Sequence, residues 1–299
     1  MQRILIIGAT GNIGKSLINY LYADTNNATS TEDFKIIAAV RNINKAKDKF
    51  KSFPNIEYVH FDFDKPTTFD SALKNINIIF LIRPPHISDI ETYFSPFFEK
   101  VKQHNINKIV FLSVQGVESS KVIPHNKIEA LIKKHNFQYI FLRPSYFMQN
   151  LTTTLYNDIK HKRKIILPSG NACFNWIDIE NISEFASFIL QNFSKYKNTA
   201  FDLTGYELEN YQTVVNLINR NIEESSSEPI KYINLNPISF YRLKKKEGMK
   251  KGMIVVMILL HFLPRFQKKP NISKNYENII GKKPTTLAQF IKREKNKFI

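Results

Sequence analysis

The stretch RILIIGATGNIGKSLINYL, residues 3–21, decides the fold of this 299-residue chain. It begins with an unbroken apolar run, which predicts a buried strand over 3–8, and it continues with a helical pattern over 14–22. Three glycines with the spacing G-x-x-G-x-x-G join the two, namely Gly8, Gly11 and Gly14. A strand, a glycine-rich turn and a helix in this order are typical of a unit that binds a dinucleotide, because the helix N-terminus then faces the pyrophosphate.

An ordinary strand-to-helix turn is the alternative interpretation of these glycines. Three of the nine glycines of the chain fall within seven residues at this one place, which favours the dinucleotide site. The residues predicted to hold the pyrophosphate are those of the turn, Gly8, Thr10, Gly11, Asn12, Ile13 and Gly14.

The first half of the chain continues the same alternation of strands and helices. Further strands are predicted at 34–41 (after a long polar loop at 24–33), 56–63, 76–85, 107–116 and 136–147. Helices are predicted between them at 43–51, 67–74, 90–104 and 125–135. Apolar strands alternating with helices predict a parallel sheet covered on both faces, and right-handed crossovers make it a doubly wound α/β fold of the Rossmann type.

The alternation becomes less regular after about residue 150. We therefore expect a dinucleotide-binding core at 1–150 and a smaller, mainly C-terminal α/β substrate lobe at 151–299, interleaved with the core. In a doubly wound sheet the ligand lies at the carboxyl ends of the strands, so candidate site residues are sought there.

The end of the second strand indicates which dinucleotide is bound. A site for NADH would carry Asp or Glu there to bind the ribose hydroxyls. The strand KIIAAVRN ends instead in Arg41, with Lys45 one helical turn later. Cationic side chains suit a 2′-phosphate, so NADPH is predicted over NADH, although a solvated strand end would also explain Arg41. Asp62, after the third strand, is predicted either to contact the adenine ring or to cap its own loop.

Composition limits the remaining classes of function. The formal net charge is +17, but much of the excess positive charge lies in 242–297. The many Lys, Asn and Ile residues suggest a biased composition, so no specific nucleic-acid partner is expected.

Cys173 is the only cysteine, which excludes an internal disulfide and suits a reducing compartment. With no signal peptide recognised at the N-terminus, a cytoplasmic protein is expected. No cluster predicts a metal site.

The most apolar run is GMIVVMILLHFLP, 252–264. It is about a dozen residues long, whereas a helix needs roughly 20 residues to span a bilayer. We predict a buried or lid helix, with weak peripheral membrane contact through its basic flanks as the alternative.

Five segments together resemble the NmrA-like branch of atypical short-chain dehydrogenases/reductases. They are GATGNIG at 8–14, AVRN at 39–42, FLSVQG at 111–116, HNKIEALIKKHNFQYIFLRPSYFMQN at 125–150 and IIGKKPTTLAQFI at 279–291. The branch includes NAD(P)H:quinone oxidoreductases of the azoreductase and triphenylmethane-reductase type. The resemblance covers nearly the whole chain and is weakest at 222–272.

Ordinary short-chain dehydrogenases use a Tyr-x-x-x-Lys pair and a Ser at the end of the fifth strand. Ser113 stands in the place of that Ser, but the helix positions of the pair hold His125 and Glu129. The same spacing occurs at Tyr156 with Lys160 and at Tyr241 with Lys245, and we interpret both as coincidences because neither pair follows the fifth strand.

The His-x-x-x-Glu pattern resembles the quinone- and dye-reducing members. His125 would hydrogen-bond the nicotinamide ribose or an acceptor oxygen, or it is a structural residue paired with Glu129. The segment LRPSYFMQN places Pro144, Tyr146, Phe147, Met148 and Asn150 near the nicotinamide end, where Phe147 and Met148 fit either an acceptor lining or the core. The segment IRPPH, after the fourth strand, places Arg83 and Pro84 along the cofactor cleft. The predicted catalytic residues are His125, Tyr146 and Ser113.

The leading hypothesis is an NADPH-dependent reductase of a small aromatic or quinone-like acceptor, acting as a monomer or homodimer. Direct hydride transfer to such an acceptor needs little acid–base machinery. The alternative is a non-catalytic, NADP-binding redox sensor of the NmrA type that acts through a protein partner. A third possibility is membrane or nucleic-acid association through the basic C-terminal third.

Overall fold

The computed structural model describes residues 1–26, 34–119, 121, 123–223 and 228–299, so most of the predicted loop at 24–33 lies outside the described residues. In chain order the strands are β1 (Gln2–Ile7), β2 (Phe34–Val40), β3 (Glu57–His60), β4 (Ile78–Ile82), β5 (Lys108–Leu112), β6 (Gln138–Pro144), β7 (Tyr146–Phe147), β8 (Lys164–Leu167), β9 (Phe174–Ile177), β10 (Thr199–Leu203), β11 (Leu208–Glu209) and β12 (Lys231–Asn234). The helices are α1 (Asn12–Asn26), α2 (Ile43–Lys49), α3 (Phe69–Leu73), α4 (Ile90–Gln103), α5 (Pro124–Lys134), α6 (Tyr156–Lys162), α7 (Ile179–Gln191), α8 (Phe193–Tyr196), α9 (Tyr211–Ile222), α10 (Pro237–Lys246), α11 (Lys251–Phe262), α12 (Asn275–Ile280) and α13 (Leu287–Arg293).

Seven of the described strands form one parallel sheet in the order β10-β6-β5-β4-β1-β2-β3. The strand order reverses at β1, which pairs with β2 on one side and with β4 on the other. A doubly wound sheet binds its ligand outside the carboxyl ends of the strands at such a reversal. The predicted fold class is therefore confirmed, and the reversal lies directly before Gly8 and Arg83.

The strands of this sheet are apolar because both of its faces are covered. In β4, Ile78, Ile79, Phe80 and Leu81 are 0% exposed. One face carries a cluster of phenylalanine rings with neighbouring centroids 4.7–6.2 Å apart, formed by Phe61, Phe63, Phe69, Phe94, Phe97 and Phe98. Close packing of this cluster against the sheet keeps the strand ends, and hence the site, in fixed positions.

The described chain divides into two compact units, each with segments that are distant in sequence. The first unit comprises Met1–Pro144, Ile179–Leu203 and Asn275–Gly281. The second comprises Ser145–Asp178, Thr204–Lys274 and Lys282–Ile299. The second unit has its own core, which includes Met148, Trp176 and Tyr211.

The strand predicted at 136–147 is in fact two strands in two sheets. β6 ends at Pro144, and after Ser145 the chain forms β7, which pairs with β9 through Tyr146 and Trp176. The prediction joined them because both segments are apolar, and periodicity does not reveal a change of sheet.

The apolar run at 252–264 forms α11, followed by a short 3-10 turn over Leu263–Phe266. The helix was predicted, but several of its apolar side chains are exposed rather than buried. Among the described residues, the structure contains no helix with the length and apolar character needed to cross a membrane.

Candidate active site

The glycine-rich turn connects β1 to α1 at the carboxyl edge of the large sheet. Gly8 has a φ of +88°, in the left-handed region that favours glycine. A Cβ on Gly14 would lie 2.3 Å from the carbonyl oxygen of Gly8 and 2.8 Å from Cα of Ala9. No side chain fits at Gly14, so the glycine allows the first turn of α1 to pack directly on the end of β1.

The N-terminus of α1 supplies backbone amides at this turn. The Lys15 amide donates to the Gly11 carbonyl oxygen at 2.9 Å, so the amides of Asn12, Ile13 and Gly14 precede the first hydrogen bond within the helix. Together with the positive end of the helix dipole they make an anion site. An anion site of this kind suits a dinucleotide pyrophosphate, and the missing side chain at Gly14 keeps the first turn of α1 against the end of β1 where these amides lie.

Thr10 is exposed at the tip of the turn, and its carbonyl oxygen accepts a hydrogen bond from Nζ of Lys49 at 2.5 Å. Lys49 is the last residue of α2, so the helix after β2 is linked to the glycine turn. Sequence reasoning did not predict this link because the two residues are 39 positions apart.

Arg41 follows β2 directly and is exposed. The pairing of Ile7 with Ala39 places it beside the glycine turn. Asn42 caps α2 by accepting a hydrogen bond from the Lys45 amide at 3.0 Å. Within the described part of the chain no hydrogen bond or ion pair holds the Arg41 guanidinium, which leaves it free for an external anion.

Asp62 caps its own loop. Its Oδ1 accepts from the Asp64 amide at 3.2 Å, and its own amide donates to Oγ1 of Thr68 at 3.1 Å. Of the two interpretations of Asp62, the loop cap is the one observed, and an adenine contact stays a prediction.

Arg83 bonds to its own loop after β4. Its Nη1 donates to the carbonyl oxygens of Pro84, Pro85 and Ile87 at 3.0, 3.3 and 2.6 Å. Its Nε is buried and has no partner among the described atoms. Burial lowers the pKa of Arg83. The side chain thus shapes the loop that carries Pro84 and brings a positive charge near His125.

Ser113 follows β5 and is buried in a hydrogen-bonded group that spacing did not predict. Its Oγ donates to Oε1 of Glu129 at 2.6 Å. Nε and Nη2 of Arg143 donate to the two oxygens of the same carboxylate at 3.0 and 2.7 Å. The hydrogen bond to Glu129 raises the pKa of Arg143. Because a hydroxyl has one proton, Ser113 in this arrangement can accept but not donate a bond to a ligand.

His125 lies in the first turn of α5, half-buried, with its ring 5.9 Å from that of Phe111. The Glu129 carboxylate is bonded to Ser113 and Arg143, and the described residues show no bond from it to His125. The structural pairing of His125 with Glu129 is therefore not present. Burial and the charge of Arg83 lower the pKa of His125 to about 3. The imidazole is neutral at neutral pH, so it can form hydrogen bonds but cannot act as a cationic acid.

Tyr146 lies in the second unit, in a hydrogen-bonded chain of side chains. Nδ1 of His261 is 2.7 Å from the Met257 carbonyl oxygen, which only accepts, so Nδ1 carries the proton and Nε2 is an acceptor. The Tyr146 hydroxyl, 2.9 Å from Nε2, therefore donates to it and accepts from Tyr211 at 2.7 Å. Burial raises the pKa of Tyr146 to about 12 and lowers that of His261 to about 4.

The other residues of LRPSYFMQN have mixed environments. Pro144 ends β6, and its carbonyl oxygen accepts from the Gln115 amide at 3.0 Å. Met148 is fully buried in the core of the second unit, whereas Phe147 and Asn150 are half-buried. Core packing is thus the observed role of Met148.

Both Tyr-x-x-x-Lys patterns lie in the second unit, on α6 and α10. Nζ of Lys160 donates to the carbonyl oxygen of Ile299. Neither pattern follows β5, in keeping with their interpretation as coincidences.

The predicted residues fall into two groups. Tyr146 belongs to the second unit, and the first unit holds all the others, namely Gly8, Thr10, Gly11, Asn12, Ile13, Gly14, Arg41, Asp62, Arg83, Pro84, Ser113, His125 and Pro144. Within the described residues there is no group of His, Cys, Asp and Glu that could hold a metal ion.

A family model described as the NmrA-like family matches residues 1–243. Prestalk A differentiation protein A of Dictyostelium discoideum is 26% identical over 292 residues, which are 97% of this chain and 91% of that protein. Among solved structures, Citrobacter sp. triphenylmethane reductase complexed with NADP(H) has a TM-score of 0.79 at 17% identity, covering 98% of this chain and 99% of that one. NADPH-dependent quinone oxidoreductase QOR2 of Escherichia coli, complexed with NADPH, has a TM-score of 0.80 at 18% identity, covering 97% and 99%. At these identities the two structures establish the shared fold.

Proposed function

The chain belongs to the NmrA-like family, and from this premise we propose that it is an NADPH-dependent oxidoreductase that reduces quinones or similar conjugated acceptors. The observation that carries the proposal is the glycine turn after β1 with the unpaired, exposed Arg41 after the adjacent β2. The amides of the turn suit a pyrophosphate and the guanidinium suits a 2′-phosphate. The structural neighbours described with NADP(H) and NADPH support the same coenzyme.

The residues of the site would bind and orient rather than exchange protons. Bound NADPH would supply the hydride. His125, neutral and half-buried, would hydrogen-bond the nicotinamide ribose or an acceptor oxygen, and Ser113 and Pro144 would border the nicotinamide. A conjugated acceptor is electrophilic and its reduced form takes its protons from water, so this chemistry needs no Tyr-x-x-x-Lys pair.

We further propose a division of labour between the two units. The first unit, which contains most of the predicted core at 1–150, would bind the coenzyme. The second unit, which contains Tyr146 and most of the predicted lobe at 151–299, would bind the acceptor against its aromatic side chains. The lone Cys173 suits a reducing compartment, so we place this reaction in the cytoplasm.

The test is a titration of the protein with NADPH and with NADH, followed by menadione-dependent loss of NADPH absorbance in the same cuvette. Tight NADPH binding with steady oxidation is expected. Failure of both coenzymes to bind would refute the dinucleotide site.

A non-catalytic redox sensor is the second candidate. The observation that favours it is that the protons of Ser113 and Tyr146 are both donated to protein acceptors, Glu129 and His261. The name of the Dictyostelium relative also refers to differentiation rather than to a reaction. Tight NADPH binding without turnover over a varied panel of quinones would favour the sensor over the reductase.

A further inference from the structure

Helix α11 has apolar side chains on both of its faces. Ile254, Met257 and His261 point inward and are 0%, 4% and 2% exposed. Outward, the helix and the turn after it expose seven large apolar side chains, which we call the α11 outer face: Met253, Val255, Val256, Leu259, Leu260, Leu263 and Phe266. Their exposed fractions run from 44% for Leu263 to 73% for Phe266.

The rotation of α11 is fixed by its inner face. Nε2 of His261 lies 2.9 Å from the Tyr146 hydroxyl and 3.3 Å from that of Tyr211. Turning the helix to hide the outer face would break these bonds and expose Ile254 and Met257. A helix that borders water normally carries polar residues on its outer side, and a contiguous exposed apolar patch marks a binding surface.

The segments of the chain on either side of α11 are strongly cationic. Residues 248–276 contain six Lys or Arg and no Asp or Glu. Lys250 and Lys251 stand at the N-terminus of α11, where a positive charge opposes the helix dipole and does not stabilise the helix. Five of the six cations border the ends of the outer face and are exposed, namely Lys250, Lys251, Arg265, Lys268 and Lys269.

This combination identifies the chemistry of the partner. An apolar patch bordered by cations is complementary to a surface with an apolar interior and an anionic border. A second copy of the chain would bring the same cations to the same place, and like charges so close would repel. The apolar run is also too short to span a bilayer, which needs roughly 20 residues.

We propose that the α11 outer face binds the surface of an anionic lipid bilayer. The helix would lie parallel to the membrane, with its apolar side chains at the boundary of the acyl region and the flanking Lys and Arg on the headgroup phosphates. The proposal rests on α11 and its flanks and is independent of the proposed reaction.

The test is co-sedimentation of the full chain with vesicles of phosphatidylcholine alone and of phosphatidylcholine mixed with phosphatidylglycerol. We expect binding to the anionic vesicles that weakens with added salt, and little binding to neutral ones. The double substitution Val256→Glu and Leu260→Glu should reduce vesicle binding at least about tenfold, because the variant lacks two apolar side chains whose transfer from water into the bilayer favours binding. Lys250→Ala with Lys251→Ala should reduce it about fivefold for each cation removed.

The matched control is Lys74→Ala with Lys102→Ala, which removes the same charge from exposed positions of the first unit and should leave binding unchanged. Since the lysine variants leave every apolar contact intact, they keep the test valid if the glutamate variant does not fold. Equal binding by wild type and the Lys250/Lys251 variant would overturn the proposal. Equal binding to neutral and anionic vesicles, or a dimer in solution abolished by the glutamate pair, would also overturn it.

Discussion

At the scale of single residues, coenzyme choice should depend on Arg41. If Arg41 binds the 2′-phosphate as proposed, the Arg41→Asp variant would lose that charge-assisted bond and gain a carboxylate suited to ribose hydroxyls, so NADPH affinity should fall about tenfold to a hundredfold relative to NADH. Dissociation constants for both coenzymes measure this. Lys47→Asp makes the same charge change at an exposed position of α2 and is the control. An unchanged NADPH/NADH ratio in Arg41→Asp would show that Arg41 does not read the 2′-phosphate.

His261 should make stability fall in acid. Its pKa is lowered by burial to about 4, whereas an unfolded histidine titrates near 6.5. Between these values His261 binds more protons in the unfolded state than in the folded state, so the contribution of His261 to the free energy of unfolding should fall by about 1.4 kcal/mol for each unit of decreasing pH and level off below about pH 4.

Urea unfolding at pH 7, 6 and 5 measures this dependence. His261→Gln should be less stable at pH 7, because the bond from Tyr146 is altered, but its stability should depend less steeply on pH. His86→Asn, at an exposed position, is the control and should keep the wild-type slope. Identical slopes in wild type and His261→Gln would contradict the neutral, buried state of His261.

Local spacing predicted part of the candidate site and could not predict the rest. Gly14 and Arg41 follow from their places after a strand, because the turn and the strand end are continuous in sequence. The bond from Arg143 to Glu129 joins α5 to the end of β6, and a charged residue in an apolar strand was its only sequence signal. The bond of Tyr146 to His261 spans 115 residues and leaves no pattern that spacing could reveal.

At the scale of elements, the packing of α1 on β1 depends on Gly14. In Gly14→Ala the new Cβ would meet backbone atoms at 2.3 and 2.8 Å, so the helix must move away from the strand. We expect a loss of about 2–3 kcal/mol in the free energy of unfolding and the loss of NADPH binding. Urea unfolding and coenzyme titration measure the two effects.

Gly252 in α11 provides the matched control for Gly14. Apart from its chain neighbours and the nearby backbone of its own helix, no atom of the described residues lies within 4 Å of a Cβ built at Gly252, so Gly252→Ala should stabilise the protein by about 0.5–1 kcal/mol and leave NADPH binding unchanged. If Gly14→Ala bound NADPH as the wild type does, the close contact between turn and helix would not be needed for the site.

Element types were predicted more reliably than their environments. The pattern of 252–264 correctly predicted a helix, because helical residues follow one another in sequence. It could not show which side of α11 would remain exposed, since apolar residues occur all around the helix. The same limit applies at Pro144, where apolar character continued from β6 to β7 while the chain passed to another sheet.

At the scale of the whole molecule, the alternation of strands and helices predicted the doubly wound sheet. It did not predict which late segments of the chain belong to each unit. The first unit recruits Ile179–Leu203 and Asn275–Gly281 from late in the chain. β10 in the first of these segments pairs with β6, and this pairing joins positions about sixty residues apart. Pairing between strands so distant in sequence depends on how the folded elements pack against one another, and local sequence patterns do not reveal it.

The division of labour between the units can be tested with Trp176, the only tryptophan. It is buried in the second unit, with its ring centroid 5.0 Å from that of Tyr146. An acceptor bound against Tyr146 should therefore quench Trp176 fluorescence, and menadione without coenzyme should give a saturable decrease. Free N-acetyltryptophanamide at equal absorbance corrects for light absorbed by the quinone.

Two substitutions should then separate the two binding functions. Tyr146→Leu removes the aromatic ring and should weaken menadione quenching while the dissociation constant for NADPH stays as in the wild type, because the glycine turn and Arg41 belong to the first unit. Arg41→Asp should have the opposite effect: it should weaken NADPH binding and leave menadione quenching unchanged. If either substitution weakened the binding of NADPH and of menadione equally, the coenzyme and the acceptor would not be bound by separate units. The loss of binding would then have to arise from a structural change that affects both sites.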